Sequence, residues 1–466
     1  MFAEDHRGGG RDTVLSDGTR LDDLVDVERR QVSMRVLWDP EVYQLELHRI
    51  FAKVWVALAH ESEIPNPGDF VTRHLGEDQV IVVRDQSGEI HILLNVCQHR
   101  GMEVCRAEVG NATNFRCPYH YWVYDLTGRF LGSPVAREQM HGDILPKSKL
   151  GLRRARVARY AGMIFGTFDG SAPPLDDYLG DIKWYLDLMF DRTDEGFVSV
   201  GPPQRFTIPA NWKCAGEQFA GDGYHTLGLH RSMLELGALG GGSAAIDDAP
   251  AMYGIDVSAH GHGLRCIPAR DAWASLYGQS TEGLTPMEML RRIPPPGMTR
   301  AQVETLEKRF DPDQLRVLAE SPPQVGGLFP NNGVLNFYSP MPGGKVAVSM
   351  GWHTFVPKGP QCLEFLCWVF VERGALANEE LNRRATIFGT GSSGLIEQDD
   401  AEAWPSMQRA SRGVVGRTQT LKYQALLGEK RPEGWPGPGK VYAGFTKDDN
   451  QWNWWLRWRE LMTGSR

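Results

Sequence analysis

Two short segments of the chain each pair a cysteine with a histidine. The first contains Cys97-x-His99 and the second contains Cys117-x-x-His120. Two thiolates on one iron and two imidazoles on the other are the ligands of one type of [2Fe–2S] cluster. Because imidazoles are neutral, such a cluster has a higher reduction potential than an all-thiolate cluster. The two pairs therefore predict a centre that accepts and passes on electrons.

A structural zinc site is the alternative for these four residues, since two cysteines and two histidines also satisfy tetrahedral zinc. Zinc fingers usually pair cysteine with cysteine and histidine with histidine, whereas here each half contributes one of each. We therefore favour the mixed iron–sulfur cluster, the Rieske arrangement, over zinc.

A second set of candidate ligands lies in the sequence Asp222-x-x-His225-x-x-x-x-His230. Two histidines and a carboxylate form the facial triad of non-haem Fe(II), which leaves positions open for substrates. Our candidate carboxylate is Asp400, in an acidic run that otherwise reads as a solvated face. A pair of histidines is more often packing than metal site, but a redox cluster needs an electron acceptor. Because a spacing of five turns away from one helix face, we expect the helix to loosen near Gly228 or one histidine to lie past its end.

The elements around the first set are short strands. Residues 78–84 and 89–94 alternate as two strands joined by a turn at 86–88, residues 115–124 form a hairpin, and residues 161–168 form a further strand. This pattern predicts a small all-β domain with the cluster ligands on its loop tips.

The second half of the chain mixes strands at 345–354 and 362–372 with helices at 378–388 and 447–462, and residues 236–330 read as loop-rich. In the last helix Trp455, Trp458 and Met462 share one face, which predicts a helix that docks on a core or on another subunit.

Bulk properties exclude several classes of protein. A chain of 466 residues favours two or three domains, and a net charge of −8 without a long basic run argues against nucleic-acid binding. No apolar stretch is long enough to span a membrane, and no hydrophobic signal core is present near the start. The seven scattered cysteines do not form a disulfide framework, so we expect a reducing cytoplasm; Cys105, between the two ligand pairs, is interpreted as a bystander.

Taken together, the motifs resemble the α (large) subunits of Rieske non-haem iron aromatic-ring-hydroxylating dioxygenases over nearly the whole chain. The resemblance includes both Cys–His pairs, the residues 211–213 (Asn-Trp-Lys), the 222–230 run and the residues 397–400 (Glu-Gln-Asp-Asp). Phrases at 105–108 and 177–181 look closest to actinobacterial dioxygenases of polycyclic aromatics and phthalates.

The resemblance implies an α+β fold, in which a small all-β Rieske [2Fe–2S] domain is inserted in a helix-grip-like (START-like) catalytic domain with an antiparallel sheet. We expect an N-terminal segment packing on the catalytic domain at 1–38, the Rieske domain at 39–170 and the catalytic domain with mononuclear iron at 171–466. It further implies an α₃ or α₃β₃ assembly with a small β subunit, in which the cluster of one subunit reduces the iron of its neighbour.

The resemblance also assigns roles to single residues. Asp400 takes the position of the carboxylate ligand, with Asp399 as the fallback. Asp222 bridges His225 to the cluster ligand His120 of a neighbouring subunit, and carboxylates of this kind orient metal-bound imidazoles. Gln218 lies near the iron. The expected substrate-pocket residues are Phe219, Gly223, Leu234, Phe388 and Ile396.

The sequence departs from the family pattern at three places. Tyr121 stands where the family usually has glycine after the last cluster histidine, Gln218 replaces a common asparagine, and the stretch 388–396 is longer than usual. None of these departures removes a proposed ligand.

The expected reaction is cis-dihydroxylation of an aromatic ring, such as that of a polycyclic hydrocarbon, by O₂. NADH supplies the electrons through a separate reductase, with or without a ferredoxin, and no dinucleotide-binding glycine motif occurs in this chain. A dioxygenase of an aromatic carboxylate such as phthalate, with Arg231, Arg265 or Arg270 as a clamp, and a monooxygenase or demethylase are the alternatives. A Rieske electron carrier without catalytic iron is a further alternative, against which the His225/His230/Asp400 set argues.

Overall fold

The computed structural model describes most of the chain as two compact units. The described residues are 14–134, 146–232, 254–269, 278, 280–295, 298–341, 345–374, 397–425, 427–428, 431–444 and 446–464, with the side chains of 337–349 excepted. One unit is formed by 51–175, and the other by 176–466 together with the segment up to residue 50. We call them the Rieske unit and the catalytic unit.

The strands run in chain order as follows. In and before the Rieske unit they are β1 Val25–Asp26, β2 Gln31–Ser33, β3 Val56–His60, β4 Asp69–Leu75, β5 Asp78–Arg84, β6 Ile90–Leu94, β7 Val109–Asn111, β8 Phe115–Arg116, β9 Val123–Tyr124, β10 Phe130–Gly132, β11 Arg156–Tyr160 and β12 Met163–Thr167. After it they are β13 Phe197–Ser199, β14 Gln204–Ile208, β15 Ile255–Ala259, β16 His262–Cys266, β17 Pro323–Leu328, β18 Asn332–Met341, β19 Lys345–Pro357, β20 Leu363–Glu372, β21 Thr420–Lys422 and β22 Lys440–Ala443.

The helices are α1 Pro40–Glu46, α2 Leu175–Leu179, α3 Ile182–Phe190, α4 Trp212–Gly221, α5 Pro286–Arg292, α6 Arg300–Val303, α7 Leu306–Arg309, α8 Pro312–Glu320, α9 Glu397–Ala410 and α10 Asp449–Thr463. Short 3₁₀ helices occur at Leu21–Leu24, Met34–Leu37, Glu61–Glu63, Lys147–Lys149, Tyr224–Leu227 and Gly416–Thr418, and a π-helical turn at Leu47–Phe51.

The Rieske unit consists of three antiparallel sheets with the strand orders β6-β5-β4-β7, β11-β12-β3 and β10-β9-β8. The predicted β5–β6 hairpin is present, and Gly88 adopts the left-handed backbone (φ 92°) in its turn. The Asp85 carboxylate accepts hydrogen bonds from the backbone N–H groups of Ser87 and Glu89, which fixes that turn. The predicted hairpin at 115–124 and the strand at 161–168 are also confirmed, as β8–β9 and β12.

The catalytic unit is built on an antiparallel sheet of nine described strands. Its order is β13-β20-β19-β18-β17-β16-β15-β22, and β14 also pairs with β20. Helix α4 packs across β16 to β19, and α10 packs on α4, β15 and β16. The predicted strands at 345–354 and 362–372 are confirmed as β19 and β20, while the helix expected at 378–388 lies outside the described residues.

Glycines let α4 lie close to the sheet. A Cβ atom added at Gly263 on β16 would lie 2.0 Å from the carbonyl oxygen of Ala220, and one at Gly327 on β17 would lie 2.5 Å from the amide nitrogen of Ala220. A Cβ at Gly333 on β18 would lie 2.5 Å from the Phe219 ring. Because any larger residue would displace helix backbone, these glycines set the height of the site residues above the sheet.

A buried ion pair connects α1 to α4, and a hydrogen bond to the same carboxylate connects α10. Lys213 Nζ lies 2.7 Å from Glu46 Oε1, and neither side chain is exposed. The Glu46 carboxylate also accepts hydrogen bonds from the indole N–H groups of Trp212 (3.0 Å) and Trp458 (2.8 Å). On α10 the predicted docking face is confirmed, since Trp455, Trp458 and Met462 are fully buried.

The loop-rich interpretation of 236–330 was wrong for much of that stretch. It contains β15 to β17 and the helices α5 to α8. Three of these helices begin with capping boxes, at Thr285 with Glu288, Thr299 with Gln302 and Asp311 with Gln314. The capping residues, with proline at the first helical position of α5 and α8, are a sequence signal that the proline-rich composition obscured.

Among the described helices, none has the length and apolar character that crossing a membrane requires.

Candidate metal centres

The two Cys–His pairs lie on two loops with the same hydrogen-bond pattern. In the first, the Cys97 N–H donates to the Met102 carbonyl (2.8 Å) and the Gly101 N–H donates back to the Cys97 carbonyl (2.9 Å). In the second, the Cys117 N–H donates to the Trp122 carbonyl (2.8 Å) and the Tyr121 N–H donates to the Cys117 carbonyl (3.0 Å). Each loop thus presents one thiol and one imidazole from a closed turn.

Both loops need a left-handed residue at their fifth position, counted from the cysteine. Gly101 fills it in the first loop (φ 74°) and Tyr121 fills it in the second (φ 56°). A non-glycine residue there is strained, and this explains why the family pattern has glycine. The Tyr121 ring is 54 % exposed, and its described partner is the guanidinium of Arg116, whose Cζ lies 6.0 Å from the ring centroid.

The four predicted cluster ligands lie together. Cys97 and Cys117 are buried, and burial and then the adjacent Cys117 raise the pKa of the Cys97 thiol. The His99 and His120 rings lie 4.5 Å apart between centroids. The two thiols and two imidazoles that these loops carry are a donor set that fits the cluster. Cys105 is buried with its Sγ 3.6 Å from the Ala107 carbonyl, as a bystander.

Aromatic side chains support these ligands. The Trp122 ring stacks on His99, with centroids 4.9 Å apart and planes at 2°. The Tyr124 hydroxyl lies 3.3 Å from Cys97 Sγ and accepts a hydrogen bond from the Gln98 N–H (3.1 Å). Sequence reasoning did not single out Tyr124, although it follows the second ligand pair closely.

In the catalytic unit, the end of α4 leads directly to the second set of residues. Asn211 caps the start of α4 by accepting a hydrogen bond from the Lys213 N–H (3.1 Å), and the helix ends at Gly221. His225 then lies on the 3₁₀ helix Tyr224–Leu227, which Gly228 terminates, and His230 follows it. Both histidines therefore lie past the regular helix. We expected the helix to loosen near Gly228 or one histidine to lie past its end, whereas the helix ends at Gly221, before both of them.

His225, His230 and Asp400 point to one place. The two Nε2 atoms are 3.1 Å apart, and Asp400 Oδ1 lies 3.7 Å from Nε2 of His225 and 3.6 Å from Nε2 of His230. One ligand atom from each residue lies within 4.8 Å of the others, an arrangement that can hold a metal ion. Asp399 instead faces the opposite nitrogen of His230, with Oδ2 3.3 Å from Nδ1.

A carboxylate thus faces the Nδ1 atom of each histidine. Asp222 Oδ1 lies 3.4 Å from Nδ1 of His225 and accepts a hydrogen bond from its backbone N–H (3.0 Å), while Asp399 holds His230. Such partners fix the tautomer that leaves Nε2 free to bind a metal. Although burial raises the pKa of Asp222, its contacts with His225 lower the value overall.

The charge balance of the triad suits a cation. Burial raises the pKa of Asp400, and the neighbouring histidines only partly oppose this effect. Burial also lowers the pKa of His230. Burial lowers the pKa of His225 as well, but its contacts with Asp222 outweigh burial and raise the value overall. A buried carboxylate beside two imidazole nitrogens is stabilised by a divalent metal, so the residues present fit non-haem iron.

Gln218 positions the Asp400 carboxylate. Its amide Nε2 donates to Asp400 Oδ1 (2.7 Å) and lies 3.4 Å from His225 Nε2, and its Oε1 accepts a hydrogen bond from the Trp404 indole (2.6 Å). The Trp404 contact orients the amide, and the sequence analysis did not identify it.

Two of the five predicted pocket residues are described. Phe219 is buried, with its ring centroid 5.3 Å from that of His353 and 5.0 Å from that of Phe355. Gly223 follows Asp222 at the start of the 3₁₀ helix, and its N–H donates to the Gly221 carbonyl (3.0 Å). The other predicted pocket residues lie outside the described part of the chain: Leu234, Phe388 and Ile396.

Of the arginines considered as a carboxylate clamp, Arg265 is neither at the surface nor on a loop. It is 5 % exposed on β16, and Nη1 donates to the backbone carbonyl of Asp222 (2.6 Å). Arg231 is exposed, and Arg270 lies outside the described residues.

The sequence analysis did not identify two acidic residues near the triad, Glu217 and Glu397, as buried. Burial and then the charge of Asp222 raise the pKa of Glu217 to about 8, and Glu217 accepts a hydrogen bond from Gln451 (2.8 Å). Glu397 lies one turn before Asp400 with its Oε1 3.4 Å from His353 Nε2. The spacing of Glu397 from Asp400 on α9 was the available signal.

Comparisons with known proteins agree with both centres. Residues 54–149 match the Rieske [2Fe-2S] domain, and residues 175–425 match the ring hydroxylating alpha subunit (catalytic domain). The N,N-dimethyl phenylurea N-demethylase subunit alpha of Sphingobium sp. is 35 % identical over 95 % of both chains. The biphenyl 2,3-dioxygenase subunit alpha of Rhodococcus jostii is 34 % identical over 95 % of this chain and 91 % of its own.

Among solved structures, naphthalene 1,2-dioxygenase from Rhodococcus sp. bound to indole superposes with a TM-score of 0.81 at 39 % identity, covering 93 % of this chain and 95 % of that one. The expected fold, enzyme class and cofactors are thereby confirmed. The chain belongs to the family of aromatic-ring-hydroxylating dioxygenase α subunits, terminal oxygenases that carry a Rieske [2Fe–2S] cluster and a mononuclear non-haem iron and work with electron-transfer partners.

Proposed function

We propose that this chain cis-dihydroxylates an aromatic hydrocarbon, with Cys97, His99, Cys117 and His120 holding the cluster. The observation that carries the proposal is the convergence of His225, His230 and Asp400 in a family of ring dioxygenases. When bound, the cluster stores and delivers single electrons, and the Fe(II) activates O₂.

The protein's own residues then perform three tasks. Asp222 and Asp399 each face the Nδ1 of one ligand histidine and keep its Nε2 directed at the metal. Gln218 holds Asp400 so that one carboxylate oxygen faces both imidazoles. An iron held by His225, His230 and Asp400 would have positions left for O₂ and substrate.

Asp222 is proposed to bridge the two centres between neighbouring subunits, next to His120. A carboxylate hydrogen-bonded to an imidazole of each centre provides a short covalent and hydrogen-bonded route. Asp222→Asn is therefore expected to keep both metal centres and to lose nearly all turnover. Normal product formation by that variant would contradict the bridging role.

We further propose that the chain assembles as α₃β₃, or as α₃ without a β subunit, and works in the cytoplasm with a reductase or ferredoxin. The relatives' names as alpha subunits support a β partner. The seven cysteines, all free, suit a reducing compartment.

The substrate class is tested with isotopically labelled oxygen. Purified protein with both centres loaded is reduced, exposed to ¹⁸O₂, and given naphthalene, biphenyl, phthalate or an N,N-dimethyl phenylurea. A diol with two labelled oxygens from a hydrocarbon is the expected product. Formaldehyde release from the phenylurea would favour the demethylase alternative, which the 35 % identical relative supports, and reaction of phthalate alone would favour an aromatic-acid dioxygenase.

A further inference from the structure

Arg265 caps the end of the helix that leads to the iron-site residues. Its Nη1 donates to the backbone carbonyl of Asp222 at 2.6 Å, and its Nη2 donates to that of Phe219 at 3.5 Å. The last carbonyls of a helix lack donors within the helix, and α4 ends at Gly221. A cation at this end is also favoured by the helix dipole.

Asp222 is held from two sides as a result. Its carbonyl accepts from Arg265, and its carboxylate accepts from the backbone N–H of His225 and lies 3.4 Å from that residue's Nδ1. The side chain and the main chain of one residue thus connect Arg265 to the imidazole of a proposed iron ligand. Loss of the Arg265 contact would free the turn that aims this carboxylate.

The charge of Arg265 is buried close to acidic side chains. Asp256 is its direct partner across the β15–β16 ladder, is fully buried, and forms no hydrogen bond through its carboxylate oxygens within the described structure. Asp222 and Asp400 also act on the guanidinium electrostatically. Because arginine stays protonated in proteins, a buried positive charge lies beside the proposed electron bridge.

These contacts distinguish Arg265 from a substrate clamp and from simple packing. Both of its terminal nitrogens are directed at helix carbonyls. An apolar side chain of similar length would fill the volume but would leave those carbonyls without their donors, and the shorter glutamine offers one NH₂ group where arginine offers two.

We propose that Arg265 is a positioning residue for electron transfer, which keeps the Asp222 carboxylate against His225. The proposal rests on the bridging role of Asp222 in the proposed function. In the step concerned, one electron leaves the reduced cluster and one electron is gained at the mononuclear site, and no bond forms or breaks.

The test uses the full chain with both centres loaded. Iron and sulfide content and the electron paramagnetic resonance signals of both centres are measured first. The reduced protein is then mixed with O₂ and, in separate runs, with naphthalene, biphenyl and phthalate, and cluster reoxidation is followed by its visible absorbance. The variants are Arg265→Gln, Arg265→Lys and Asp222→Asn, with Arg316→Gln as the control because Arg316 lies on α8 with its side chain 40 % exposed.

We expect Arg265→Gln to keep its iron and its KM, and to slow cluster reoxidation and kcat about tenfold to a hundredfold, since small misplacements of reacting groups have effects of that size. Arg265→Lys should recover part of the rate, because lysine keeps the charge but cannot donate to both carbonyls in a fixed fork.

Each other outcome has a defined meaning. A rate for Arg265→Gln equal to that of Arg316→Gln overturns the proposal, and so does loss of iron from Arg265→Gln, which would show a structural role. If Arg265→Gln does not fold, a wild-type rate in Arg265→Lys overturns it. A slow Asp222→Asn with a normal Arg265→Gln refutes this inference alone, whereas a normal rate in Asp222→Asn refutes the bridge and the inference together.

Discussion

Replacing Lys213 by methionine is expected to destabilise the catalytic unit strongly. Lys213 Nζ lies 2.7 Å from Oε1 and 2.9 Å from Oε2 of Glu46, and neither side chain is exposed to solvent. Removing one member of such a pair leaves a buried charge without its partner and typically costs about 3–5 kcal/mol. Methionine has a similar volume, so packing changes contribute little.

The hydrogen bonds around Glu46 explain why its charge depends on the lysine. The indoles of Trp212 and Trp458 donate to the carboxylate but carry no charge. Burial raises the pKa of Glu46, and Lys213 is the first of the groups that oppose this rise. Without the lysine, Glu46 is expected to take up a proton. The loss of stability then comes partly from protonating Glu46 and partly from the loss of its ion pair with Lys213.

Thermal unfolding of the metal-loaded protein measures the effect. At roughly 2 °C per kcal/mol for a large domain, Lys213→Met should lower Tm by about 6–10 °C. Lys183→Met is the matched control, because its ion pair with Asp187 is longer (3.4 Å) and the lysine side chain is 34 % exposed. A partly exposed pair of this kind contributes less than about 1 kcal/mol.

The double variant Glu46→Gln/Lys213→Met separates the ion pair from the packing. It should be more stable than Lys213→Met, because the glutamine neither carries an unpaired buried charge nor has to be protonated. A Tm for Lys213→Met within 2 °C of Lys183→Met, at about the 2 °C per kcal/mol used above, would refute the reasoning.

Three further predictions concern single side chains. His225→Ala should lose the mononuclear iron and keep the red-brown cluster; full iron content by elemental analysis would rule out His225 as a ligand. Tyr121→Gly should raise the free energy of unfolding of the Rieske unit by about 0.5–1 kcal/mol, because glycine relieves the left-handed strain. Gly101→Ala should lower that free energy by about 1 kcal/mol through backbone strain alone, since its added Cβ meets nothing within 4 Å. A change of the same sign for both variants in denaturant titrations would contradict this account. Burial raises the pKa of Asp85, but hydrogen bonds from Ser87, His91 and backbone N–H groups outweigh burial and lower the pKa from 3.8 to about 2. The stabilisation from the ionised Asp85 is therefore complete above about pH 4 and is lost as the pH falls towards 2. Unfolding midpoints measured from pH 5 to 2 should fall less steeply in Asp85→Asn than in the wild type.

The candidate metal ligands could be singled out from the sequence because most of them are close together in it. Cys97 and His99 are two residues apart, and His225 and His230 are five apart, so the types and spacings can be read directly. Helical geometry indicated that a regular helix would not present both histidines on one face, but it did not show that the helix ends at Gly221, before His225. Asp400 was a candidate from its acidic run, and the family resemblance then gave it the ligand position, because its distance from the histidines in sequence carries no spacing signal.

The supporting contacts were not predictable because they join distant segments. Gln218 and Trp404 meet across 186 residues, and the Arg265 contact with Asp222 crosses 43. A lone arginine near a loop-rich stretch reads as a surface residue, and only the pairing of β16 with β15 shows it to be buried. Composition also misled at residues 236–330, where the glycine run 240–242 and the proline run 294–296 suggested loops and the helix-start signals at Thr285 and Asp311 were overlooked.

The bond between Glu46 and Trp458 spans 412 residues and has a consequence for how the protein is made. Domains fold as units during synthesis, beginning from the N-terminal end. The Rieske unit, whose residues are contiguous, can close while the ribosome is still translating the catalytic unit. Glu46 and Lys213 gain the hydrogen bond from Trp458 only after the last helix has been synthesised. This part of the core of the catalytic unit is therefore completed only after nearly the whole chain has emerged.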